Sequence, residues 1–222
     1  NVRRSLLASV LLVSAVLLAA CASPALTGIK VHIQNGEYED AVHLADSVIA
    51  AGEGQNAEIW LWRGRAMGRL GNYPGASESF IRAWELDPAT GSEFVEFWWV
   101  FYNVAAARLN DGDVEGARDL LGTASQIVPS RPEFDQLLGD IALNLGEVEA
   151  ALGHFENSAD IARANISSLE ERIQAATAEA RTALEDMKAD AEESALLSLY
   201  NAGMLHKSLA VSGPEETRSE HF

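Results

Sequence analysis

The sequence predicts an all-α protein: an α-solenoid of about four stacked helical hairpins, followed by a long helix and a C-terminal capping helix. Three observations predict it. Apolar residues recur at steps of three and four, and no stretch alternates apolar with polar as a half-buried strand does. Glycines recur at 36, 71, 112 and 146, spaced 35, 41 and 34 residues apart, each between two helix-patterned segments. From His154 to Ala202 there is neither glycine nor proline, so nothing in that stretch marks a helix end.

The elements follow in chain order. Arg3 and Arg4 precede an apolar run from Leu6 to Ala20. The run is about 15 residues, short of the roughly 20 that a membrane-spanning helix needs. A basic start, a short apolar run and small residues at its end read as an export signal, so residues 1–20 are set apart from the fold. The run closes on Leu18-Ala19-Ala20-Cys21, which resembles the lipobox of bacterial lipoproteins. The resemblance implies cleavage before Cys21 and a diacylglycerol on its thiol. Ala20-Cys21-Ala22 also fits an ordinary secretory cleavage site, which would leave no lipid. Cys21 is the single cysteine, so no internal disulfide is open to the chain. Ala22, rather than Asp, follows it. In Gram-negative relatives this implies an outer-membrane lipoprotein facing the periplasm.

Residues 21–163 carry the hairpins. The stretch from Ala57 to Pro88 resembles a tetratricopeptide repeat nearly position by position. Trp60 stands at the first large position and Gly64 where the two helices touch. Gly71 and Tyr73 form the turn. Ala76, Phe80 and Ala83 line the second helix, and Pro88 ends it. Two positions depart from the family: Arg63 stands where it has Leu, and Met67 where it has Tyr. A third hairpin repeats the pattern with Ala105, Gly112, Ala117, Leu121, Ala124 and Pro129. A fourth has Gly139, Gly146, Ala151 and Phe155. Upstream, Gly36, Tyr38, Ala41, Ala45 and Val48 supply a first. The spacing of 41 implies an insertion of about two helical turns within residues 89–99. One hairpin cannot bury its apolar face alone, so such units stack.

Residues 164–210 are read as a long helix and a cap. Ile166, Leu169, Ile173, Ala176, Ala180, Ala183 and Met187 form an apolar seam at steps of three and four. Either one long helix packs along the hairpins, or a helical arm pairs with a second chain. Leu199 to Ala210 resembles the first helix of a further repeat, with Gly203 at the contact position. Residues 211–222 are a polar tail.

Composition narrows the function. The chain holds 16 basic and 33 acidic residues, a formal charge of −17. Without Arg3 and Arg4 the figure is −19. A body of this sign is repelled by phosphate backbones, which argues against nucleic acid. The five histidines, His32, His43, His154, His206 and His221, stand in no metal-ligand spacing. No nucleophile elbow or phosphate-cradling glycine loop is present. The expectation is a non-enzymatic protein with no cofactor and no metal.

The resemblance implies a membrane-tethered adaptor or scaffold that holds a protein or peptide in a concave groove lined by first helices. Carried onto this chain, the groove positions are Leu61, Arg65 and Arg69; then Trp99, Tyr102, Ala106 and Asn110; then Gln136, Asp140 and Asn144. Arg65 and Arg69 share one helix face and suit a partner carboxylate, unless they pair with Glu58 or Glu78. Phe94, Phe97, Trp98, Trp99, Phe101 and Tyr102 are too dense for one face to bury, so they divide between core and an exposed anchor. Two other roles stay open: a ligand-binding accessory lipoprotein of a solute transporter, and a regulatory subunit of a periplasmic cell-wall enzyme.

Overall fold

The computed structural model describes residues 24–212, so Cys21, the export signal and most of the polar tail lie outside the described residues. Those described form α-helices without a strand among them. In order they are α1 (Pro24–Asn35), α2 (Tyr38–Val48), α3 (Ala57–Arg69), α4 (Tyr73–Leu86), α5 (Trp98–Asn110), α6 (Val114–Ile127), α7 (Pro132–Asn144), α8 (Val148–Ala175) and α9 (Ala178–Ser212). A π-helical turn, Ile49–Glu53, follows α2, and a 3-10 segment, Pro88–Phe97, follows α4. The chain divides into two compact units at Phe94 and Val95.

Four hairpins, α1–α2, α3–α4, α5–α6 and α7–α8, share one turn chemistry. Gly36, Gly71, Gly112 and Gly146 all adopt left-handed backbone, φ 76° to 81°. After each, a backbone N–H reaches back over the last turn: Glu37 to His32, Asn72 to Met67, Asp113 to Arg108 and Glu147 to Ala142, at 2.8–3.0 Å. These bonds satisfy carbonyls that the helix end leaves open. Asn72 and Asp113 then cap the following helix by accepting the N–H of Gly75 and Gly116.

Inside the hairpins a small residue on the first helix meets a large one sixteen positions later. A Cβ on Gly64 would lie 2.6 Å from the Phe80 ring, one on Gly139 2.7 Å from Phe155, and one on Gly28 2.9 Å from Leu44. The third hairpin has the buried pair Ala105 and Leu121 at the same spacing. Arg63, the departure from the family pattern, is accommodated in the first unit. Its guanidinium donates to Asp46 at 2.6 Å and to the buried Ser79 hydroxyl at 2.7 Å, so charge bridges α2 and α4 where an apolar contact was expected. The implied insertion is the 3-10 segment, whose Phe94 stacks on Phe80 with ring centroids 4.9 Å apart.

The region after residue 163 differs from the expectation. No boundary falls there, because α8 runs unbroken from the fourth hairpin to Ala175. Ala176 then turns extended, at φ −78° and ψ 149°, and α9 starts two residues later. The seam is therefore interrupted and the chain folds back. Ala180, Ala183 and Met187 are exposed, whereas Leu184 and Ala195 are buried. Reversal shifts the inward register by one residue, onto Leu184, Lys188, Ala191, Ala195, Ser198 and Ala202. Lys188 ties the two long helices, bonded at 3.0 Å to both Glu170 and Glu192. Those carboxylates, Glu192 first, raise the Lys188 pKa. The expected separate cap is the distal part of α9 itself. Its Ala202 packs with Ala142, Ala151, Leu152 and Phe155, the place a fifth first helix would take.

Candidate functional site

In the first unit Leu61 is buried and belongs to the core, so it faces no partner. Its neighbour Trp62, outside the expected groove positions, is half-exposed. Lys30 of α1 sits 5.3 Å from its ring centroid and Arg65 sits 4.6 Å from it. Two cations against one indole make a cation–π arrangement, in which the ring's quadrupole attracts both charges.

Each cation also meets a carboxylate. Lys30 bonds Glu58 at 3.1 Å. Arg65 donates to the Glu93 backbone carbonyl at 2.5 Å and lies 3.3 Å from its carboxylate. The partner of Arg65 is thus Glu93, delivered by the 3-10 segment, and not Glu58 or Glu78. Arg69 is exposed one turn further along α3. Trp62, Arg65 and Arg69 follow steps of three and four and share a face. The signal for Trp62 was present in the sequence: Trp60-Leu61-Trp62 offers three apolar residues where a helix face accepts two.

In the second unit Trp99, Tyr102, Ala106 and Asn110 do form one stripe along α5, with the first three half-buried and Asn110 exposed. The Trp99 indole N–H donates to the Glu96 carbonyl at 3.1 Å. Tyr102 meets the edge of Trp98, with centroids 6.0 Å apart, and Arg131 covers that indole at 5.1 Å. Within the aromatic group Phe94, Phe97 and Phe101 are buried, whereas Trp98, Trp99 and Tyr102 keep partial access and none of the six is fully exposed.

On α7 the expected positions separate. The Gln136 amide donates to the Ser194 carbonyl, the Ser194 hydroxyl and the Ser198 hydroxyl at 3.0–3.2 Å. Those bonds commit it to holding α9, a role no local pattern announces. Asp140 and Asn144 remain exposed. Partial desolvation of the Asp140 carboxyl raises its pKa. A cleft of about 480 Å³ also opens among α7, α8 and α9, lined by Trp98, Arg131, Leu169, Arg172, Met187 and Asp190 among others. Its mixed, charged lining differs from an enclosed apolar solute pocket.

One loose group of possible metal ligands occurs among the described residues: His32, Glu37 and Asp40 at the first turn. His32 and Glu37 bond each other at 2.6 Å there, which accounts for their proximity.

Residues 26–91 match the family model described as tetratricopeptide repeat. That segment runs from the third residue of α1 to beyond α4 and includes Lys30, Trp62 and Arg65. No curated protein matches the chain. Among solved structures the chain is similar to "Crystal structure of MamA protein", at 16% identity over 86% of this chain and 96% of that one, TM-score 0.46. It is similar also to "Crystal structure of YrrB: a TPR protein with an unusual peptide-binding site", at 17% identity over 83% and 86%, TM-score 0.45. A third is "MamA 41-end from Desulfovibrio magneticus RS-1", at 17% identity over 85% and 98%, TM-score 0.43. At these scores the likeness carries no functional argument.

Proposed function

We propose that this chain is a membrane-tethered interaction adaptor of the bacterial cell envelope that holds a carboxylate-bearing protein segment against α3. The observation that carries the reading is Trp62 with both Lys30 and Arg65 against its ring, and Arg69 further along the same helix face, in a chain of net charge −17. An apolar plate bordered by cations recognises an apolar side chain next to a carboxylate. Cations gathered in an otherwise acidic body also focus the local potential on an anionic partner. Glu58 and Glu93 hold these cations in the absence of a partner, and a partner carboxylate would exchange with them.

The tether rests on the lipobox at Cys21. Acyl chains on that thiol, each contributing about 0.8 kcal/mol per buried CH₂, would anchor the chain firmly. Ala22 favours the outer membrane, with the hairpins in the periplasm.

Two variants test the two halves separately. Cys21→Ser is expected to leave the membrane fraction, or to accumulate uncut, while still capturing the partner. Trp62→Ala is expected to stay at the membrane and lose the partner in crosslinking pull-downs from membranes. A Trp62→Ala protein that captures as well as wild type refutes the surface. A normally processed Cys21→Ser protein that remains in the membrane fraction refutes the tether.

A further inference from the structure

The distal part of α9 carries small residues on one side and large apolar residues on the other. Its inward residues are small, Ala195, Ser198 and Ala202, and all are buried. Its outward residues are large: Leu196 is 69% exposed, Tyr200 64%, Leu197 and Met204 51% each. Such a cluster of exposed apolar side chains marks an interaction surface. A Cβ on Gly203 would meet nothing within 4 Å. Glycines at the corresponding contact positions 28, 64 and 139 each have a large side chain against them.

The order of residues on this face selects its occupant. Ala189, Glu193, Leu196, Tyr200, Gly203 and Lys207 advance in steps of four and three, a straight stripe along the helix. Turn a second copy antiparallel about an axis through Tyr200. Glu193 then faces Lys207, Leu196 faces Met204, and Leu197 faces Gly203, each pair occurring twice. A twofold contact requires this reciprocity, in which one residue meets another and is met by it in return. Neither Glu193 nor Lys207 has an ion-pair partner among the described residues. A parallel pairing would instead place Glu193 on Glu193 and Lys207 on Lys207. An anionic lipid surface is a poor alternative, because Asp186, Asp190, Glu192 and Glu193 lie on or beside the stripe.

We infer that the outer face of α9, from Glu193 to Lys207, pairs antiparallel with the same face of a second copy of this chain. This surface is separate from α3, and the inference does not depend on the adaptor reading. Pairing leaves Gln136 and Ser198, which hold α9 from its inner side, undisturbed.

The test is sedimentation velocity on the purified full chain across concentration, with circular dichroism to confirm the helix content of each variant. Wild type is expected to dimerise reversibly. Glu193→Lys and Lys207→Glu should each weaken the dimer roughly tenfold, since each change sets two like-charge contacts in one dimer. The double reversal should restore it. In a Cys21→Ser background, Tyr200→Cys should form a disulfide-linked dimer under mild oxidation, and Val31→Cys should not. A wild-type chain that stays monomeric at about 100 µM, whether or not it floats with lipid vesicles, overturns the inference. A dimer indifferent to both charge reversals, or untrapped at position 200, overturns it equally.

Discussion

Gly64 and Phe80 are matched by shape: a single methyl added at Gly64 would stand 2.6 Å from the Phe80 ring. Both residues are buried, and the ring also stacks on Phe94, with centroids 4.9 Å apart. Gly64→Ala should therefore destabilise the first unit by about 1–3 kcal/mol, as overpacking does. The third hairpin uses Ala105 with Leu121, so Phe80→Leu should recover part of the loss. Chemical denaturation of the two single variants and the double variant reads this coupling. Strict additivity would mean that the two side chains do not share the space.

Gly112 and Gly122 belong to the same hairpin and should respond oppositely to alanine. Neither has an atom within 4 Å of a built Cβ. Gly112 has φ +81°, a left-handed backbone that costs a non-glycine residue about 1–2 kcal/mol. Gly122 lies inside α6, where alanine is favoured by about 0.5–1 kcal/mol. Thermal melts of Gly112→Ala and Gly122→Ala should shift in opposite directions.

Arg65 and Arg69 should separate under charge reversal. Arg65 is tied to Glu93 and Trp62 and its side chain is only 16% exposed. Arg65→Glu sets two carboxylates together and removes the bond to the Glu93 carbonyl, an expected loss of about 1–3 kcal/mol. Arg69→Glu, on an exposed position, should change stability by no more than about 1 kcal/mol. Equal loss from both would show that the α3 face is wholly structural.

The hold on α9 is local and testable. Ser158 and Ser198, both buried, bond each other at 2.9 Å, and Ser158 also donates to the Pro132 carbonyl. Ser198→Val removes a partner from both Ser158 and Gln136. Hydrogen exchange should then speed across residues 191–209 and stay unchanged in α3 and α4. Uniform acceleration over the chain would contradict it.

What the sequence made legible was the part governed by local rules. The four turn glycines and the contact residues Gly64, Phe80, Gly139 and Phe155 announce themselves, because backbone handedness and close approach admit few residue types. The two-residue break at Ala176 and Thr177 did not, since neither glycine nor proline marks it. Its cause is the fold-back of α9 onto α8, a contact between distant segments. Leu61 was misplaced because three consecutive apolar residues leave helix rotation undecided until the neighbouring hairpin packs. The Gln136 bonds to α9 and the pairing of Arg65 with Glu93 are illegible for the same reason: those partners lie 58 or more and 28 residues away, respectively.

The central claim is that a partner segment rests on the α3 face. Photo-crosslinking from single positions in intact membranes tests it most directly, with the reactive group at Arg69 on α3 and, for comparison, at Glu78 on α4. Both positions are exposed. The account predicts a discrete crosslinked species from position 69 that disappears with Trp62→Ala, and none from position 78. A species from position 78 alone, or one from position 69 that survives loss of Trp62, would contradict it.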